Sequence, residues 1–164
     1  MRHNDYVIAV REYLRRYTEF TTYIDNLRAD ISELESQLSL LPAPRVSSLS
    51  PAPGRGGEEI TPAEREYMKR EAMQERLTTL QQELAELEPL INRLNRSLDA
   101  LEYAEHEIIL RRMIHGESWL IIAGDLNISE SMCRRKGKYA VEKVAGMMFG
   151  PRAIPVQMHF TFFE

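Results

Sequence analysis

A single cysteine, Cys133, excludes an internal disulfide, and the four histidines, His3, His106, His115 and His159, stand at no ligand spacing with it. Neither a structural metal nor a cofactor is expected. No apolar run approaches the roughly 20 residues of a membrane span. The opening MRHNDYVIAVREYL lacks the uninterrupted apolar core of a signal peptide, so a cytoplasmic chain without a membrane role is expected. Aromatic residues make up 8% of the chain against 28% charged, and the net charge is −4. That balance suits one or two small modules rich in exposed helix and does not suit a large enzyme core with an active-site cleft. His115, Ser118 and Asp125 supply the residue types of a nucleophilic triad. Ser118 and His115 flank a turn, however, and no third-group geometry is implied, so an enzyme is the least favoured class.

What the chain does have is heptads. Tyr6, Val10, Tyr13, Tyr17, Phe20, Ile24, Leu27, Ile31, Leu34, Leu38 and Leu41 recur at alternating steps of four and three, the spacing of a coiled-coil seam on one long helix. Pro42 and Pro44 end it, and PAPRVSSLSPAPGRGGEE has the composition of a flexible connection, which places a loop over 42–60. TPAE restarts the helix. Thr61 is the expected N-cap, Pro62 the first helical residue, and Glu64 the side chain that reaches back to close a capping box. The seam resumes through Met73, Leu77, Leu80, Leu84, Leu87, Ile91, Leu94, Leu98 and Leu101, and it keeps phase across Pro89, which predicts a kink and not a break. Two such runs joined by a loop favour an antiparallel hairpin over residues 1–101, with a two-chain coiled coil as the alternative.

From 102 to 150 the pattern breaks into three short helical blocks separated by two turns, which is helix-turn-helix spacing. The first block, about Tyr103 to Ile114, puts Ile109 and Met113 on one face and stops at Gly116, a residue that can take a left-handed cap. Ser118 caps the second block, whose Trp119, Ile122, Ala123 and Leu126 face inward. Asn127 sits where a positive φ is needed, Ile128 fills the space beneath, and Ser129 caps the third block. That block is expected to bury Cys133, Ala140, Val141 and Val144 and to turn Ser131, Arg134, Arg135 and Lys138 outward. With the overall acidity assigned to the heptad runs, these cations sit on the half of a helix that enters a major groove. The expected DNA-binding residues are Ser129, Ser131, Arg134, Arg135, Lys136 and Lys138. Arginine can bind guanine bidentately and lysine neutralises phosphate.

The order of parts resembles one known family. A heptad helix containing VREYLRRYTEF, a low-complexity loop, a second heptad helix and then EIILRRMIHGESWLIIAGDLNISESMCRRKGKYAVEKV look like the RinA/ArpU-type phage late-gene transcriptional activators. Their C-terminal module resembles region four of bacterial sigma factors. The likeness covers the chain to about Phe149 and rests most on LRRMIHGESWLIIAGDLNIS and on the Ser-x-Ser start at Ser129 and Ser131. The helical periodicity makes an all-α fold the expectation, and the resemblance implies a phage or prophage protein in a bacterial host. Such a protein binds double-stranded DNA at a promoter and acts with bacterial RNA polymerase; a homo-oligomer is expected from the long heptads, the apolar tail and Leu120 and Ile121. The chain departs from the family at Leu120 and Ile121, where acidic residues are common, and at Gly137, which interrupts the recognition helix at a propensity cost of roughly 1 kcal/mol. In the tail 151–164, Val156, Met158, Phe160 and Phe162 alternate with polar residues, which is strand periodicity. The alternative functions are a phage small terminase subunit, which also joins DNA recognition to oligomerisation, and a helical scaffold or adaptor with no nucleic-acid role.

Overall fold

The computed structural model describes residues 3–41 and 61–153; the expected loop at 42–60 and the alternating tail from 154 lie outside them. The described chain is helical throughout. In order come α1 (His3–Arg15), α2 (Tyr17–Leu40), α3 (Pro62–Asp99), α4 (Tyr103–Ile108), α5 (Trp119–Asp125) and α6 (Glu130–Phe149). A π-helical turn, Ile109–Ile114, continues α4, and a 3-10 turn, Gly150–Ala153, follows α6. The expected single first helix is divided at Arg16, but the division is slight. Arg16 still donates to the Glu12 carbonyl at 3.1 Å and accepts from the Phe20 amide at 3.0 Å. Just beyond, the Thr21 hydroxyl donates to the Tyr17 carbonyl at 3.0 Å, a back-bond that competes with the helical ladder and loosens it locally. α3 begins with the capping box read from TPAE. The Glu64 amide donates to Thr61 Oγ1 at 3.2 Å, and the Thr61 amide donates to Glu64 Oε2 at 2.8 Å. The Thr61 amide and hydroxyl, both donating to Glu64 Oε2, hold that carboxyl below its ordinary range. α3 runs on through Pro89 without ending.

These helices form two compact units. One comprises the described residues of Tyr23–Leu87 and the other those up to Thr22 together with those from Glu88 on. In the first, three side-chain bonds join α2 to α3 and the segment after α2. Tyr23 Oη donates to Glu83 Oε2 at 2.7 Å, Gln81 Nε2 to Glu35 Oε1 at 3.3 Å, and Arg70 Nη1 to the Leu41 carbonyl at 3.5 Å. The Glu83 carboxylate raises the Tyr23 phenol above its ordinary pKa because it stabilises the protonated donor. Ile24 and Leu27 are buried, whereas Ile31, Leu34, Leu38, Met73, Leu77, Leu80, Leu84 and Leu87 are half-buried. Every seam position of this unit is thus shielded, but two helices cannot enclose their seam completely.

The second unit is built around α6. α1, α4, α5, the π turn and the 3-10 turn all pack on it. The sequence reading divided the chain after 101, yet α1, the start of α2 and the last third of α3 belong with 102–153. The reason lies on α1, which carries a second apolar edge beside the seam. Val7 and Leu14 are buried there together with Val10, and the last two are fully enclosed, worth about 1.5–3 kcal/mol each. Tyr6 stacks on Phe149 at the end of α6 with ring centroids 5.0 Å apart. Tyr17 Oη donates to Asn95 Oδ1 at 2.8 Å, and Arg93 Nη1 reaches the Met148 carbonyl at 3.4 Å. Ile91, Leu94 and Leu98 complete the buried side of α3 here.

Candidate nucleic-acid interface

Local stereochemistry shapes the surface around α5 and α6. The π turn closes with the His115 amide donating to the Leu110 carbonyl at 3.0 Å, and the chain then reverses at Gly116, whose φ is +74°. A side chain there would be strained, so the glycine is required. Ser118 caps α5 by accepting from the Ile121 amide at 3.3 Å, and Ser129 caps α6 by accepting from the Met132 amide at 3.2 Å. Between them Asn127 takes φ 54°, the left-handed conformation asparagine tolerates best after glycine. The turn stands over a small core of Ile108, Ile122, Ala123 and Cys133, against which Trp119, Leu126 and Ile128 pack. Burial raises the Cys133 thiol above its ordinary pKa, so it is a packing group and not a reactive thiolate.

Two features of this core were not legible as such. Gly137 looked like a helix defect, but a Cβ at that position would lie 3.0 Å from Ile108 Cγ2 and 3.0 Å from Trp119 Cη2. Its absence lets α6 approach both side chains. The expected first block is also not one α-helix: α4 gives way to the π turn at Ile109, which is fully buried, as is Ile108. The wider turn brings Arg111 and Arg112 round towards the loop before α5. Arg111 Nη2 lies 2.6 Å from Glu117 Oε2 and 2.7 Å from Asp125 Oδ2, and Arg112 Nη1 donates to the Glu117 carbonyl at 2.8 Å. The Arg111 guanidinium holds the Glu117 carboxyl below its ordinary range and is itself held further protonated. On the other flank, Lys143 Nζ contacts both oxygens of the buried Glu105 at 2.6 and 2.9 Å, which raises the lysine's pKa and ties α4 to α6.

Residues 102–150 carry acidic and basic side chains in equal number, so the field of this surface depends on which cations the protein uses internally. Arg111 and Lys143 are committed to the bonds just described. Arg134 is exposed, yet its Nε donates to Glu130 Oε1 at 2.9 Å, its Nη2 bonds the same oxygen, and its guanidinium lies 5.5 Å over the Trp119 ring. Arg112 lies over that ring as well, at 5.2 Å. Lys138 is exposed and 3.9 Å from Glu142. Arg135 is exposed with its Nη2 against Met132 Sδ, a weak acceptor, and no carboxylate among the described residues pairs with it. Lys136, expected among the DNA-binding residues, is half-buried and has no carboxylate within ion-pairing distance among the described residues. Ser129 and Ser131 are exposed, their hydroxyls 3.1 Å apart.

Of the six residues expected at the site, Ser129 caps α6 and the other five lie in its first half, on the side opposite or flanking buried Cys133, Ala140, Val141 and Val144. Sequence reasoning passed over Glu130, Arg112 and the ring of Trp119. Glu130 stands four positions before Arg134, a helical ion-pair spacing that was available in the sequence. Among the described residues no group of His, Cys, Asp and Glu side chains could hold a metal ion, and no helix is long and apolar enough to cross a membrane. The sequence matches no protein-family model, and comparison with curated proteins and with solved structures likewise gives no match.

Proposed function

We propose that this chain is a sequence-specific DNA-binding transcriptional regulator, a phage or prophage late-gene activator of the kind its sequence resembles. One observation carries the reading. Two helices capped by Ser118 and Ser129 are joined through the left-handed Asn127, and the second presents Ser131, Arg134, Arg135 and Lys138 exposed along its first turns. In a helix-turn-helix, that half of the second helix meets base edges in the major groove. Arg135, which no carboxylate of the described residues neutralises, is a guanine reader or phosphate anchor, and Lys136 and Lys138 contact the backbone. Internal pairing of Arg111 and Lys143 fixes the module's shape, so the cations of α6 define where counterions are released.

In this reading α2 and α3 form an antiparallel hairpin. The falling order of α3 partners, Glu83, Gln81 and Arg70, against rising α2 positions supports it. Two copies assemble so that two recognition helices meet two half-sites, because one such helix reads few base pairs. Leu120 and Ile121, exposed at 71% and 55%, offer RNA polymerase an apolar contact on α5.

The direct test is selection of the full chain against a randomised pool of duplex DNA, followed by affinity measurements across salt. An enriched sequence and a linear fall of log affinity with log salt are expected. Lys136→Ala should make that slope shallower by about one unit, and Arg135→Ala should cost roughly 1–3 kcal/mol while relaxing preference at one base pair. Absence of enrichment together with salt-insensitive binding refutes the reading. Transcription from the selected sequence with purified polymerase separates an activator from a packaging subunit, which would bind without activating.

A further inference from the structure

Glu130 occupies the first turn of α6 beside the proposed groove-facing residues, where an unpaired carboxylate would repel DNA phosphates. It is not unpaired. Its Oε1 accepts both Arg134 Nε, at 2.9 Å, and Arg134 Nη2, while no bond to Oε2 occurs among the described residues. The arginine has five N–H donors, so this side-on pairing leaves its Nη1 and Nη2 edge available as a fork. Trp119 supports the pair from α5, its ring lying 5.5 Å from the Arg134 guanidinium. An exposed ion pair at this spacing contributes little to stability. Its consequence is geometric: an acceptor and two donors are held side by side on one face.

A G·C base pair shows the complementary set in the major groove, with the guanine N7 and O6 as acceptors and the cytosine N4 amine as donor. Adenine reading needs an amide side chain, yet the exposed and half-buried residues of the first turns of α6 are Glu130, Ser131, Met132, Arg134, Arg135, Lys136 and Lys138, with neither asparagine nor glutamine. We propose that Glu130 and Arg134 act as one reader of a single G·C pair, Arg134 donating to guanine and Glu130 Oε2 accepting from cytosine N4. Glu130 is then a specificity-determining residue and not only a partner that neutralises Arg134. This proposal rests on the DNA-binding reading above and deepens it by naming the base pair.

The experiment compares the intact chain with Glu130→Gln in the same randomised duplex selection, with circular dichroism confirming that both are folded. The natural chain should enrich one position as G·C. In Glu130→Gln that position should lose its preference for cytosine by about 5-fold or more, because one charge-assisted hydrogen bond gives way to a neutral amide that donates as well as accepts, and gain adenine, to which glutamine pairs. A second measurement needs no variant. In the selected duplex the cytosine is replaced by 2-pyrimidinone, which lacks the exocyclic amine; affinity should fall, and the same replacement at other cytosines of the duplex should not lower it. If both proteins bind and enrich the same bases, or if removing the amine leaves affinity unchanged, Glu130 does not read cytosine and the proposal is overturned while DNA binding stands. If neither protein binds duplex DNA, the functional reading fails, and this inference with it.

Discussion

Replacing Gly137 by alanine sets helix propensity against packing at one atom. Glycine inside a helix costs roughly 1 kcal/mol relative to alanine, so propensity alone predicts stabilisation. The added Cβ, however, would lie 3.0 Å from Ile108 Cγ2 and 3.0 and 3.3 Å from two carbons of the Trp119 ring. Ile108 is fully buried and cannot retreat without displacing Ile122, Ala123 or Cys133, the other members of its core. Overpacking of that kind costs about 1–3 kcal/mol, so the balance is a loss of about 1 kcal/mol, with an upper bound near 2. Trp119 is the only tryptophan in the chain, so its emission reports both unfolding of this unit and any shift of the ring. Urea titration followed at that signal should give a lower midpoint for Gly137→Ala and an altered emission maximum in the folded baseline. Gly124→Ala is the matched control: its Cβ would meet nothing within 4 Å, and α5 should gain about 0.5–1 kcal/mol. Equal stabilisation by both substitutions, with Trp119 emission unchanged, would refute the close approach of α6 to Ile108 and Trp119.

Other consequences follow from the same unit. Asn127→Gly should be nearly neutral, whereas Asn127→Val should lower stability by about 1–2 kcal/mol in thermal melts, because a β-branched residue resists the φ of 54°. A double-mutant cycle on Glu105→Gln and Lys143→Met should show a coupling of about 0.5–3 kcal/mol in urea midpoints; additivity would mean that the bridge is idle. Glu117 contributes through a carboxyl whose pKa is lowered, chiefly by its hydrogen bond from Arg111. The sign is therefore that its stabilisation is present above the ordinary glutamate value of 4.5 and is lost as pH falls through the lower folded value. The urea midpoint of the natural chain should exceed that of Glu117→Gln at neutral pH, and the gap should close on acidification below that ordinary value. A gap independent of pH would show that the Arg111 bridge is not its source.

The chain order alone made the helical seams and the turn chemistry legible. Positions from Tyr6 to Leu41 and from Met73 to Leu101 at heptad spacing are all buried or half-buried, because helical periodicity is a property of one segment. Thr61 with Glu64, Ser118, Asn127 and Ser129 were legible for a related reason. Caps and left-handed turns are satisfied by atoms within a few residues, so residue type and offset suffice. The outward side of α6 was legible too, since burying Cys133, Ala140, Val141 and Val144 leaves Arg134, Arg135 and Lys138 exposed. The tertiary structure decided what no local rule carries. Tyr6 meets Phe149, Lys143 meets Glu105 and Arg111 meets Asp125 only after distant segments pack. It also decided that Gly137 is a contact surface and that Arg134 is held by Glu130 over Trp119 while Arg135 meets no carboxylate among the described residues. Periodicity says which way a side chain points, but the atoms it meets, and hence the charge it retains for a partner, are set by segments far away in the chain.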